Sequence, residues 1–236
     1  MKTRSLCLAV AGVLALAAAV QAHFVWVAVA NEKGGQAVAQ VWFSELAEPD
    51  SADLLDKILM VQVVSFGADQ KPQPVKVIKH ASEQGGGALV GTVPADTKAL
   101  AAHIKYGVLT RGPQTFLLQY YAKYLDASAA DLTKLAGDKR LTLDVVPHKT
   151  EKGYSLEVLY KGQPVAGSEV VLHDPSGNQT EAKSDEKGRV ELVTTKQGLY
   201  SVRAKWLVAE SGKEGDKEYA QVNHYSTLAL RVPSRE

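Results

Sequence analysis

Chemistry in this chain would rest on histidine, of which the 236 residues contain six. One of them, His23, directly follows Val20-Gln21-Ala22, a small-residue pattern of the kind signal peptidase cuts. Cleavage after Ala22 leaves His23 with a free α-amine beside its imidazole. Those two nitrogens can close a chelate ring on a metal ion. A second imidazole opposite them completes a T-shaped, three-nitrogen site, the histidine brace. Square or T-shaped nitrogen ligation favours Cu(II) or Ni(II) over Mg or Ca. Against this stands the plain alternative that a histidine follows the cleavage site by chance.

His103 is the expected opposing imidazole. It opens a strand pattern in which Ile104, Tyr106 and Val108 share the face opposite His103 and Lys105. His224 shares a face with Val222, Ser226, Leu228 and Leu230 in the last strand, so it reads either as a ligand or as a hydrogen-bonded core residue. Glu45, closing the second strand, is a further ligand or a carboxylate that orients His23. The expected metal set is therefore His23 and His103, with His224 or Glu45 as the remaining candidates. His80, His148 and His173 lie beside loops or polar stretches and read as solvated. Asp50 and Asp53 read as helix-start residues, and Tyr120, Tyr121 and Tyr124 as packing residues with hydroxyls at the rim. There is no G-x-S-x-G, no H-E-x-x-H and no cysteine other than Cys7, so nucleophilic and zinc-protease chemistry lack their residues.

The elements that must position these residues are strands. Lys2 and Arg4 followed by the apolar run Leu6–Val20 make residues 1–22 a signal peptide, the run being shorter than the roughly 20 residues that span a bilayer. A periplasmic or secreted protein without a membrane anchor is expected to remain, with Cys7 removed. It is near neutral, which argues against a nucleic-acid partner. Residues 24–29 and 37–43 read as a hairpin around Asn31-Glu-Lys-Gly-Gly. Leu54, Leu55, Ile58 and Leu59 recur at helical spacing behind Asp50 and Ser51, predicting a short amphipathic helix over 51–60. Further strands are predicted at 61–66, 75–79, 88–93, 103–110 and 115–124. The triplet Gly85-Gly-Gly reads as a flexible loop. Residues 126–139 are small, polar and weakly helical, and read as a connection. Strands then resume at 141–145, 155–160, 169–172, 190–194, 199–206 and 221–232, separated by turn signals such as Asp185-Glu-Lys-Gly-Arg. The expected fold is all-β, two antiparallel sandwich halves over 23–125 and 140–236 with one or two short helices.

Several segments taken in order carry a resemblance. These are His23-Phe-Val-Trp26, Val41-Trp-Phe-Ser-Glu45 with Ala47-Glu-Pro-Asp50, and Tyr106-Gly-Val. Phe116-Leu-Leu-Gln-Tyr-Tyr-Ala-Lys123 and Asn223-His-Tyr-Ser-Thr-Leu-Ala-Leu230 complete the series. Over essentially the whole of 23–236 the chain resembles a bacterial exported domain family that includes periplasmic substrate-specific components of nickel and cobalt uptake. The resemblance implies metal handling at His23, with copper, nickel or cobalt as the ion and a membrane metal transporter as a partner. Gly162-Gln-Pro-Val-Ala-Gly-Ser-Glu-Val-Val, Ser184-Asp-Glu-Lys-Gly-Arg-Val and Gln197-Gly-Leu-Tyr-Ser-Val make the second half similar to carboxypeptidase-regulatory or transthyretin-like sandwiches, which implies a scaffold role there. The expected function is binding a transition metal for uptake, delivery or storage. The alternatives are a copper-dependent oxidative enzyme, which would want a flat aromatic surface around the site, and a metal-free envelope scaffold or adhesion module.

Overall fold

The computed structural model describes residues 23–32, 34–67, 69–83, 85–129 and 140–233. The expected signal peptide, and residues 130–139 of the expected connection, lie outside the described residues.

Strands dominate, as the period-2 patterning predicts, and three sheets build the fold. A first outer sheet holds β1 (Phe24–Asn31), β2 (Ala37–Ser44), β7 (Gly86–Thr92) and β3 (Asp50–Ser51) in that order, with β6 (Ile78–Ala81) also paired to β7. The central sheet has eight strands. Its first four are β14 (Gln179–Lys183), β13 (Glu169–His173), β16 (Gly198–Val208) and β19 (Gln221–Val232). The order continues through β9 (Gln114–Asp126), β8 (Ala99–Arg111), β4 (Gln62–Phe66) and β5 (Pro72–Val75). The second outer sheet holds β10 (Leu143–Lys149), β11 (Gly153–Tyr160) and β12 (Gln163–Pro164), with β15 (Arg189–Val193) against β11. A small hairpin, β17 (Gly212–Glu214) and β18 (Lys217–Tyr219), stands apart from them. Each half of the chain thus supplies one outer sheet and four strands of the central one. The halves fuse where β19 lies parallel to β9, from Gln221 opposite Phe116 to Arg231 opposite Asp126.

Alternation along the central strands sorts the two cores. Leu100, Ala102 and Ile104 of β8, Phe116, Leu118 and Tyr120 of β9 and Ala229 of β19 pack with the first outer sheet. Ala99 and Ala101, Tyr121 and Leu125, and Leu228 and Leu230 pack with the second. The two cores therefore lie on opposite faces of one sheet. Burial on both faces explains why β9 reads as a dense apolar run rather than an alternating one.

Three local expectations change. The segment 75–79 is not one strand: β5 ends at Val75 in the central sheet, and β6 begins at Ile78 in the outer one. The predicted helix is a 3-10 helix over Ala52–Ile58, burying Ala52, Leu55 and Ile58. With three residues per turn, positions i and i+3 eclipse, so Leu59 turns out to solvent instead of sharing the apolar face. The glycine triplet is not a loose loop either. Gly86 and Gly87 belong to β7, and a Cβ on Gly87 would meet Ala52 at 2.8 Å, so glycine lets the 3-10 helix lie directly on the strand.

One polar contact ties the central sheet to the second outer sheet. Lys123 of β9, 2 % exposed, forms an ion pair with Asp144 of β10, which is also buried. Removing one partner of such a pair leaves a charge in a medium that solvates it poorly. Asp144→Ala is expected to lower unfolding free energy by about 3 kcal/mol or more, measured by urea denaturation. A loss within error would show that the pair does not hold the sheets together.

Candidate metal centre

His23 sits just ahead of β1, the edge strand of the first outer sheet. Carbonyls on the unpaired side of an edge strand need donors. Here hydroxyls from the central sheet supply them: Tyr120 donates to the His23 carbonyl at 3.1 Å, and Thr227 to that of Val25 at 2.6 Å. The backbone at His23 is thereby pinned to β9. Its ring lies 5.6 Å from that of Phe43, and its Nε2 lies 3.2 Å from Asp50 Oδ2.

Asp50 reaches His23 through a detour. After Ser44 the chain swings out over Glu45–Pro49 and returns as β3, whose Asp50 and Ser51 pair with Gly87 and Gly86 further along β7 than the residues that β2 pairs. Ser44 Oγ donates to the Leu46 carbonyl, the Ala47 amide donates to Ser201 Oγ at 3.2 Å, and Trp26 Nε1 donates to the Ser44 carbonyl at 3.2 Å. The Asp-Ser pair that reads in sequence as a helix start is therefore a short strand that delivers a carboxylate to His23. Ser51 precedes the 3-10 helix but makes no side-chain cap. No sequence signal marks this role, because only the folded return of the loop creates it.

Beside His23 opens a cleft of about 400 Å³. It forms because the central strands, 13 residues in β8 and β9, outrun the eight residues of β1 and β2. Its walls are rings in mutual contact. Phe43 stacks on Tyr106 at 5.8 Å and meets the edge of Tyr120 at 5.8 Å, while Phe24 lies 5.2 Å from Tyr225. Burial, reinforced by Tyr106 and Tyr225 nearby, holds the Tyr120 hydroxyl well above the usual phenol range. Tyr106 owes its place to a β-bulge. Lys105 pairs with Gln119 and Gly107 with Leu118, leaving Tyr106 as the extra residue, and Gly107 carries φ +122°. The bulge also corrects the predicted face of β8, for beyond it Val108 turns to the other side and packs with Leu117 and Val222.

The structure does not bring His103 or His224 to His23, because the central sheet lies between them. His103 stacks on Tyr121 at 5.1 Å, and its Nε2 is 3.5 Å from Gln119 Oε1. His224, 3 % exposed, places Nδ1 3.1 Å from the Tyr121 hydroxyl, which donates to Gln119 Oε1 at 3.1 Å. Its Nε2 has no hydrogen-bond partner among the described residues. Burial lowers the His103 pKa and pushes that of His224 down to about 4, with Lys161 adding to the latter. The same burial raises Tyr121 to about 12. Both histidines lie on the face of the second outer sheet, His224 buried and His103 half-buried. Glu45 is solvent-exposed beyond β2, and its charge acts on Arg203. His148 Nε2 meets Glu157 at 3.0 Å, His173 Nε2 meets Gln179 at 3.1 Å, and His80 is exposed. No protein-family model matches this chain, and no curated protein matches it.

Burial of a neutral His224 has a signed consequence. Its folded pKa of about 4 lies below the ~6.5 of an unfolded histidine, so between those values the unfolded chain binds more protons. Its contribution to stability is whole above pH ~6.5 and is lost as pH falls toward 4, by about 3 kcal/mol in all. The lowered His103 adds loss of the same sign. Denaturation midpoints taken between pH 7 and 4 should fall accordingly, and His224→Phe should flatten much of that slope. An equally steep slope in the variant would assign the acid sensitivity elsewhere.

Proposed function

We propose that this chain is a periplasmic transition-metal-binding protein that holds copper, nickel or cobalt at His23 for uptake, delivery or storage. One observation carries the reading: the Asp50 carboxylate stands 3.2 Å from His23 Nε2. Metal-ligating histidines present their second ring nitrogen to a carboxylate, which fixes the tautomer and raises ligand basicity. With its proton held at Nε2, His23 keeps the Nδ1 lone pair for the metal. Nδ1 is also the nitrogen that closes a chelate with the α-amine once Ala22 is removed. Asp50 thus takes the orienting role that the sequence offered to Glu45, and Tyr120 anchors the backbone of the same residue.

The resemblance of His23-Phe-Val-Trp26 and the segments after it to periplasmic parts of nickel and cobalt uptake points the same way. A membrane metal transporter is the corresponding partner. Binding is favoured over oxidative attack on a polysaccharide by the shape of the surroundings, since the rings near His23 line a concave cleft and not a flat platform.

The test compares copper and nickel titrations of protein beginning at His23 with protein carrying one extra glycine before it. The extension turns the amine into an amide and should greatly weaken binding. Asp50→Asn should weaken it by about 10- to 100-fold, whereas His103→Ala and His224→Phe should leave it unchanged. The α-amine and Nδ1 of His23 must both be unprotonated to bind, so affinity should fall as pH is lowered and uptake should release protons. Equal affinities of the native-start and extended proteins would remove the terminal amine, and this reading, from consideration.

A further inference from the structure

We infer that the cleft beside His23 is a binding site for a planar organic anion, and that a carboxylate of this anion completes the coordination of the metal at His23. The second half rests on the function proposed above; the first stands on the cleft itself.

Charge is the first argument. The chain as a whole is almost balanced, with 27 Lys and Arg against 26 Asp and Glu. Its cleft is not: Lys57, Arg111 and Lys205 line it, and no Asp or Glu does. Asp50 is turned to His23, and Lys205 is paired with Glu169 at 3.1 Å, which leaves Lys57 and Arg111 as the lining cations without an ion pair among the described residues. Arg203 lies over the Phe24 ring at 4.1 Å, with Glu45, Glu181 and Glu169 acting on its charge. Like charges in a concave, low-dielectric site reinforce one another and concentrate ligands of opposite sign.

The walls specify the body of that ligand. Tyr106 and Tyr225 line the cleft and are half-buried, so each keeps part of its surface open. A small inorganic anion would leave those rings unused, whereas a flat, conjugated body stacks on them. Gln221 and Asn223 also line the cleft, Gln221 Nε2 donating to Asn223 Oδ1 at 2.5 Å. A volume of about 400 Å³ suits a one- or two-ring molecule, being near the low end of small-molecule sites.

Ligand count links the cleft to the metal. His23 offers two nitrogens, and among the described residues no group of three or more His, Cys, Asp or Glu side chains could hold a metal ion. The described residues thus leave coordination positions for donors from a bound molecule. Lys57 and Arg111 also disfavour a bare dication beside them, and an anionic chelating partner removes that cost. The cleft and His23 are contiguous, since His23 itself lines the cavity.

The probe is picolinate (pyridine-2-carboxylate), with neutral picolinamide as its control, titrated calorimetrically into metal-free protein beginning at His23. Picolinate should bind one to one, and picolinamide at least tenfold more weakly. Arg111→Gln, an exposed substitution, should weaken picolinate at least fivefold, and Tyr106→Ala should weaken it too. With one equivalent of copper on the protein, picolinate should bind at least tenfold tighter and shift the visible copper band, copper staying with the protein on ultrafiltration. Equal binding of picolinate and picolinamide, or none of either, would overturn the anion site. Tighter picolinate binding that fails to appear on copper loading, or copper stripped from the protein, would overturn the shared coordination. Copper that never binds native-start protein would instead sink the metal reading and the shared coordination with it, leaving the metal-free titration to decide the cleft.

Discussion

The parallel pairing of β9 with β19 is the contact on which the rest of this structure depends. It joins two four-stranded halves into one sheet over eleven residue pairs, from Phe116 and Gln221 to Asp126 and Arg231. The two strands come from distant parts of the chain, so their pairing closes a long loop before it gains its ladder of hydrogen bonds. Both faces of the seam are then covered, one by each outer sheet. Neither core belongs to one half alone: Ala229 packs with the first outer sheet, and Ala99, Ala101 and Leu125 with the second.

A double-covered sheet also divides its polar groups by face. Toward the second outer sheet lie Lys123 with Asp144, and the stack of His103, Tyr121 and His224. Lys123, Asp144, Tyr121 and His224 are enclosed and His103 is half-buried, and burial lowers the pKa of both histidines. Toward the first outer sheet the central strands run past their cover, and there polar groups meet solvent. Tyr106, Tyr225, Arg111 and Lys205 stand on that uncovered stretch, with His23 at its margin. The cleft is thus a consequence of unequal strand lengths. The bulge at Tyr106–Gly107 then aims one more ring into it.

β1 connects the two arrangements. As the edge of its sheet it carries unpaired carbonyls, and Tyr120 and Thr227 reach across from the central sheet to satisfy those of His23 and Val25. The same hydrogen bonds that blunt an exposed edge therefore hold His23 in place beside Asp50. Stability of the edge and positioning of the candidate ligand rest on one pair of hydroxyls.

Much of this was legible in the linear sequence. Alternation identified most of the long strands, the hairpin of β1 and β2, the apolar face of β19 that carries His224, and the all-β class, because period-2 burial is written residue by residue. The chemistry proposed for His23 rests on its residue type and on what precedes it in the sequence. Partnership was not legible. The sequence placed His103 opposite His23, yet a one-residue alternation in β8 and β9 puts His103 and Tyr121 on one face and Tyr120, with His23, on the other. Asp50 read as a helix start because the loop over Glu45–Pro49 carries no mark of where it returns, and that return is decided by the pairing of β3 with β7. The face of Val108 was lost to a bulge whose only trace is Gly107. Local periodicity determines which residues are strand and which are buried. Which strand lies beside which, and so which side chains share a face, is set by long-range pairing that only the tertiary structure decides.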